Sequence, residues 1–164
     1  MSITSNFSEN KSIEIRLAQD SDLDVIFKNE KAAYDIPWSE KLLKDCLDSR
    51  YTCWLMLQNK RPIGHMIFQK VLDEIHLHNV CVNPQFQKNG YGSLWIDHLY
   101  GYAKKNLVKD IILEVRVSNL TAKKLYAKRG FREIGLRKGY YKAKDGKEDA
   151  LVMKAHLEEL CPII

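Results

Sequence analysis

The sequence predicts an α/β (α+β) fold, a mixed central sheet of about seven strands flanked by about four helices on both faces. Three observations predict it. Short runs of alternating apolar residues, such as 13–17 and 110–117, have the period of half-buried strands. Longer runs with apolar residues three and four apart, such as 93–100, have the period of helices. After residue 82 the two kinds alternate as strand, helix, strand, which favours a parallel pairing.

Residues 1–12 are polar and rich in Ser and Asn, so they read as a flexible N-terminal extension. Residues 13–17 form a first strand. Asp20 is placed to cap a helix carrying Leu23, Ile26 and Phe27 on one side. Pro37 and Trp38 interrupt the chain, and Ser39 can cap a second helix through Leu42, Leu43, Cys46 and Leu47. Strands over 51–57, 63–72 and 75–82 form an antiparallel meander, with turns at 59–62 and 73–74. A helix follows, ending near 104–106, then a strand over 110–117. Ser118 or Asn119 caps the next helix, and Gly130 closes it. Strands over 131–138 and 148–156 end the fold, joined by a longish connection containing Asp145 and Gly146. A single domain over 13–157 and a tail over 158–164 result.

The chain has 164 residues, enough for one domain with a real core. Its net charge of +5 suits an anionic ligand or a ribosome-associated setting. Cys46, Cys53, Cys81 and Cys161 show no paired spacing and read as reduced thiols of a cytoplasmic protein. Neither a signal peptide nor a long apolar span is found, so no membrane partner is expected.

The stretch with most chemical content is Gln87, Lys88, Asn89, Gly90, Tyr91 and Gly92, between a strand and a helix. Glycines there permit positive φ and close approach of a ligand. The unpaired N–H groups of a helix start attract a phosphate. The dinucleotide and nucleotide-triphosphate glycine patterns do not fit. A plain helix-opening loop fits the hexapeptide as well as a phosphate cradle does. Glu114 is out of place on a central strand unless it faces a cleft, although an ion pair with Arg116 or a lysine also accounts for it. Asn119 and Tyr126 share one helix face, as a ligand pair or as an N-cap and a core ring. His76 and His78 have no third ligand suitably spaced, so no metal is expected.

Taken together, these residues resemble the GNAT acetyltransferases. Gln87, Gly90 and Gly92 match that family's acyl-CoA loop, and Asn119, Ala122, Tyr126, Gly130 and Phe131 match its next helix. The resemblance covers roughly 13–156 and implies the GNAT fold. Pro37–Trp38–Ser39–Glu40, the stretch from Leu113 to Asn119, Tyr140–Tyr141 and Asp145 to Ala150 further resemble the family's ribosomal-protein-alanine N-acetyltransferases. The resemblance implies acetyl-CoA as co-substrate and the N-terminus of a ribosomal protein as partner, without direct nucleic-acid binding. It further implies that backbone groups of Val80, Cys81 and Val82 hold the pantetheine arm and thioester. Amides from Lys88, Asn89, Gly90, Tyr91, Gly92 and Ser93 would cradle the pyrophosphate, and Asn119 would contact the pantetheine. Glu114 would be general base, Tyr126 general acid, and Trp38, Tyr140 and Tyr141 would line the substrate groove. Gly139 and Lys142 depart from the family's Asn and Pro, which implies a looser substrate loop. Rival expectations are a GNAT enzyme acting on lysines or a small amine, and a GNAT module that senses acetyl-CoA without turnover.

Overall fold

The computed structural model describes residues 3–6, 11–48 and 50–160. The described residues form eight strands and four α-helices in the order β1 β2 α1 α2 β3 β4 β5 α3 β6 α4 β7 β8. The strands are β1 (Ile3–Asn6), β2 (Ser12–Leu17), β3 (Thr52–Gln58), β4 (Arg61–Val71), β5 (Glu74–Val82), β6 (Asp110–Arg116), β7 (Arg132–Ala143) and β8 (Gly146–His156). The helices are α1 (Leu23–Ala33), α2 (Glu40–Leu47), α3 (Tyr91–Lys105) and α4 (Leu120–Lys128). The expected strands are β2 to β8, and the four helices fall where periodicity puts them. β1 is additional. It lies in the stretch expected to be loose and pairs with β2 from Ile3↔Ile15 to Asn6↔Ser12. The free edge of β2 offers unpaired backbone groups to this segment.

The chain forms two compact units. One holds residues 1–69 and 79–91, the other 70–78 and 92–164. In the first, β1, β2, β3 and β4 are neighbours in that order, each pair antiparallel. Asn59 and Lys60 both have positive φ, 49° and 66°, which is the type I′ hairpin turn between β3 and β4. Ile26, Leu43, Cys46, Cys53, Leu55, Leu57 and Ile67 form one buried cluster. Helices α1 and α2 reach it because their apolar residues recur three and four apart. Ser39 caps α2, its hydroxyl accepting from Leu42 N–H at 3.2 Å. Asp20 does not cap α1. A 3-10 turn over Asp20–Asp22 precedes the helix, and Asp22 stands at the N-cap position of α1 without a side-chain bond to it, its carboxylate closing the capping box of the 3-10 turn instead. Its carboxylate accepts from Gln19 N–H at 2.8 Å and from both Arg16 nitrogens, at 2.8 and 3.0 Å. The flanking Arg16 rewards an acceptor at residue 22 rather than at 20.

In the second unit the strand order is β5, β6, β8, β7. Glu74 to Leu77 pair in parallel with Asp110 to Leu113, as the intervening helix predicts. β8 runs antiparallel to β6 and β7. Trp95, Ile96, Leu99 and Ala103 of α3 are fully buried, a stripe with helical spacing. Asn119 rather than Ser118 caps α4, accepting from Ala122 N–H at 3.1 Å. Gly130 follows at φ 89°, the left-handed closing position. The long connection expected between the last strands is absent. β7 runs on to Ala143 and β8 starts at Gly146, so Tyr140 and Tyr141 sit on a strand rather than a loop. Register shifts between Glu133 and Gly135 and between Arg137 and Tyr141 hid this from a strict period of two. Gly139 at φ 59° forms the second bulge, and its N–H donates to Asp149 at 2.8 Å.

Two outcomes follow from this packing. Replacing the fully buried Leu55 by Ala costs about 2–5 kcal/mol, read by urea unfolding. The Arg16 hydrogen bond holds the Asp22 carboxyl below its ordinary value. Its stabilisation is therefore present above the unfolded carboxylate pKa and is lost as pH falls through the depressed one. Asp22→Asn should lower the urea midpoint at neutral pH and make little difference near about pH 2.

Candidate active site

The first unit supplies the end of β5 and the glycine loop. A side chain on Gly64 of β4 would strike the Cys81 carbonyl, so the two backbones approach closely only because residue 64 is glycine. Asn83 N–H donates to Ile63 at 2.7 Å beside this point. The loop is organised by its own side chains. Gln87 donates to the Val82 carbonyl at 2.9 Å, and Asn89 donates to the carbonyls of Phe86 and Gln87, each at 3.0 Å. Arg61 stacks on Phe86 at 5.3 Å. Lys88 and Gly90 have positive φ, 63° and 82°, which turns the chain sharply before α3 begins at Tyr91. Gly92 differs from Gly90. It lies inside α3 in the second unit, where a Cβ would meet Leu125 at 2.9 Å. Its smallness serves helix packing rather than positive φ. The first turn of α3 carries no acidic residue, so no negative side chain there opposes the partial positive charge of the helix start.

Also in the first unit, Trp38 follows α1, and its N–H donates to Glu30 at 3.0 Å. Glu30 lies at 1% exposure and also accepts from Asn79 and His65. These three residues were missed by sequence reasoning. The available signal was a charge at the i+4 position from Ile26 on an apolar helix face, and lone polar residues in apolar strands. Ligand atoms of Glu30, His65 and Cys81 lie within 4.8 Å of one another. The chemistry of the set favours a hydrogen-bonded cluster over a metal centre. The carboxylate already receives three donors, and His65 Nδ1 has no partner of the kind that orients a ligating histidine. Burial, with Glu30 adding to it, pushes the Cys81 thiol up, so it stays protonated.

The second unit supplies Glu114, Asn119, Tyr126, Tyr140 and Tyr141. Along β6, Ile111, Leu113 and Val115 are buried and Ile112, Glu114 and Arg116 are half-buried, as alternation predicts. Glu114 does not pair with Arg116. Arg137, on β7, approaches its carboxylate at 3.4 Å. Arg116 instead bonds Glu148 at 3.2 Å, donates to the Lys142 carbonyl at 2.9 Å and stacks on Tyr141 at 4.4 Å. Glu148 also accepts from Ser118 N–H at 2.9 Å, and Ser118, through its side chain first and this bond second, holds its carboxyl below the ordinary value. Tyr141 donates to the Glu114 carbonyl at 3.0 Å, and burial, then the Glu114 charge, push its phenol up to about 12. Tyr140 lies edge-on to it at 4.9 Å and is half exposed. Tyr126 is buried at 8% exposure, packed on Phe131 at 5.5 Å. Burial, helped by Tyr141, pushes its phenol up as well, so it holds its proton. His76 bonds Glu74 at 3.2 Å. His78 is held down by burial and His76, while the Glu114 charge opposes this.

Nothing lies within 4 Å of a Cβ placed on Gly90, so its left-handed φ alone opposes a side chain. Gly90→Ala should therefore cost about 1–2 kcal/mol in denaturant unfolding, with no packing penalty.

Residues 18–131 match the sequence pattern of the Acetyltransferase (GNAT) family. The [Ribosomal protein bS18]-alanine N-acetyltransferase of Escherichia coli (strain K12) is 38% identical over 133 residues, 81% of this chain and 90% of that protein. The crystal structure of the ribosomal-protein-S18-alanine N-acetyltransferase from Escherichia coli superposes at a TM-score of 0.84 and 34% identity, covering 93% of this chain and 98% of that one. Arabidopsis thaliana NAA60, solved in complex with acetyl-CoA, shares the fold alone at a TM-score of 0.81 and 16% identity, covering 89% and 99%. With the glycine loop between β5 and α3 and the β6–α4 segment in place, these similarities make the chain an acyltransferase of the GNAT acetyltransferase family.

Proposed function

We propose that this chain transfers acetyl from acetyl-CoA to the N-terminal alanine of a small-subunit ribosomal protein, an S18-like one. The observation that carries the reading is the 38% identity, over 81% of the chain, to an enzyme named for that reaction. A lysine or small-amine substrate has no such support.

The loop suits the co-substrate's anionic pyrophosphate. Open space lies beside Gly90, and the α3 N-terminus has no acid in its first turn. Acetyl-CoA supplies an activated thioester, and the chain's own groups do the rest. Amides of Lys88, Asn89, Gly90, Tyr91, Gly92 and Ser93 would bind the pyrophosphate. Backbone groups of Val80, Cys81 and Val82 would bind the pantetheine. The Val80 and Val82 carbonyls already accept from Tyr34 and Gln87, so the N–H groups of this stretch are the ones to serve. The Asn119 side-chain oxygen is used in capping α4, which leaves its amide NH2 as the donor for the pantetheine. Trp38, Tyr140 and Tyr141 would receive the peptide N-terminus.

Glu114 acts as general base on the incoming amine, directly or through water. An α-amine has a pKa of about 7.7–8.0, so part of it is already neutral near neutral pH, and the carboxylate need only accept the proton that the nitrogen releases as it attacks the thioester. The amine must displace Arg137 from the carboxylate, and the exposed Arg137 side chain is free to swing away. Tyr126 acts as general acid toward the departing thiolate, since burial keeps its phenol protonated. Transfer is direct. The Cys81 thiol, held protonated by burial, is a poor nucleophile.

The test uses two peptides, one with a free N-terminal alanine and no lysine, the other blocked and carrying an internal lysine. Transfer to the first alone is expected, with Glu114→Gln lowering kcat by about a hundredfold or more and Tyr126→Phe by a comparable factor. Transfer to the lysine peptide alone contradicts the reading. Acetyl-CoA binding without transfer to either peptide favours a sensing module.

A further inference from the structure

The C-terminal half of α1 carries Asn29 and Glu30, and Tyr34 caps it; none of the three has a part in the proposed chemistry. Each ends on β5 or on the segments beside it. Glu30 Oε1 accepts from Trp38 N–H at 3.0 Å and from Asn79 Nδ2 at 3.3 Å. Glu30 Oε2 accepts from Asn79 Nδ2 at 3.1 Å and from His65 Nε2 at 3.0 Å. Tyr34 donates its hydroxyl to the Val80 carbonyl. The Asn29 carbonyl takes the Cys81 thiol at 3.5 Å, and its side-chain oxygen takes Asn83 Nδ2 at 2.8 Å. The helix thus holds residues 79, 80, 81 and 83 individually.

We infer that Glu30 is a positioning residue for acyl transfer, its single buried carboxylate fixing Trp38 and the Asn79–Cys81 stretch of β5 in one arrangement. The inference rests on the reading that Trp38 receives the peptide and that Val80, Cys81 and Val82 hold the acyl-CoA. Glu30, His65 and Asn79 are 1%, 0% and 7% exposed. A carboxylate in such a place is costly, and an apolar side chain of similar volume would serve stability as well. What an apolar side chain cannot do is bind N–H groups from three separate segments at set points. The two acceptors left bare within the cluster agree with this. His65 Nδ1 and Asn79 Oδ1 are buried without a partner. Both residues therefore spend their donor on Glu30 and leave their acceptor unpaired. The carboxylate dictates the orientation of its neighbours.

The experiment compares the full chain with Glu30→Gln, Asn79→Ala and the double exchange Glu30→Gln/Asn79→Asp, which swaps donor and acceptor between the two positions. Thermal melts first set an assay temperature at which each variant is folded. Transfer to the N-terminal-alanine peptide is then measured alongside acetyl-CoA affinity by titration calorimetry. Each single variant should lose about tenfold to a hundredfold in kcat/KM, chiefly through a raised peptide KM. The double exchange should recover severalfold relative to Glu30→Gln. Folded single variants that keep the parent kcat/KM, or a double exchange no better than Glu30→Gln, overturn the inference. Should Glu30→Gln not fold, Asn79→Ala decides alone by the same criterion. Should the parent transfer nothing to the peptide, the proposed function fails instead. The inference then stands on acetyl-CoA affinity, falling in the single variants and recovering in the exchange, and an unchanged affinity refutes it.

Discussion

A carboxylate taken out of water must be met by donors, and Glu30 is met by three, from the segment between α1 and α2, from β4 and from β5. Much of the first unit's architecture around the end of β5 answers to that requirement. The Pro37–Trp38 segment turns so that the Trp38 N–H reaches Glu30. His65 and Asn79 interrupt otherwise apolar strands to supply the remaining donors. Gly64 removes the side chain that would hold β4 and β5 apart at Cys81. The result is a β5 terminus whose backbone is fixed on one side by side chains, ahead of a loop that folds on its own hydrogen bonds.

The second unit applies the same principle differently. β7 leaves the strand period twice, and the second departure has a visible support. Gly139 takes the left-handed conformation that a bulge needs, and Asp149 accepts its N–H. Glu148 ties the Ser118 turn to Arg116, and Arg116 lies on Tyr141. The acidic pair at 148–149 thus supports the strand around Tyr141, whose hydroxyl meets the backbone of Glu114. Gly139 is a specific bulge residue, which replaces the looser substrate loop its departure from the family implied.

The order of strands and helices was legible because periods of two and 3.6 are both present with clear punctuation. Ser39 and Gly130 announced their helix ends, and the parallel β5–β6 pairing followed from the helix between them. The 3-10 turn that Asp22 closes was less visible, since Asp22 is held by Gln19 N–H and by Arg16 from the strand before the turn. The β7 bulges defeated strict alternation. Glu114 stood out by being charged on a central strand, but its partner Arg137 could not be read from spacing, because the register shift decides which β7 residue arrives. Glu30, His65 and Asn79 are far apart in sequence, so no local motif could have grouped them.

The proposed acceptor is an α-amine, for which Glu114 would serve as base and Tyr126, a phenol that burial keeps protonated, as acid. The most direct test incubates the chain and acetyl-CoA with unmodified bacterial small-subunit ribosomal proteins and locates the acetyl group by fragmentation mass spectrometry. One modified protein is expected, acetylated on an N-terminal alanine and on no lysine. Acetyl groups confined to lysine side chains would contradict the proposal.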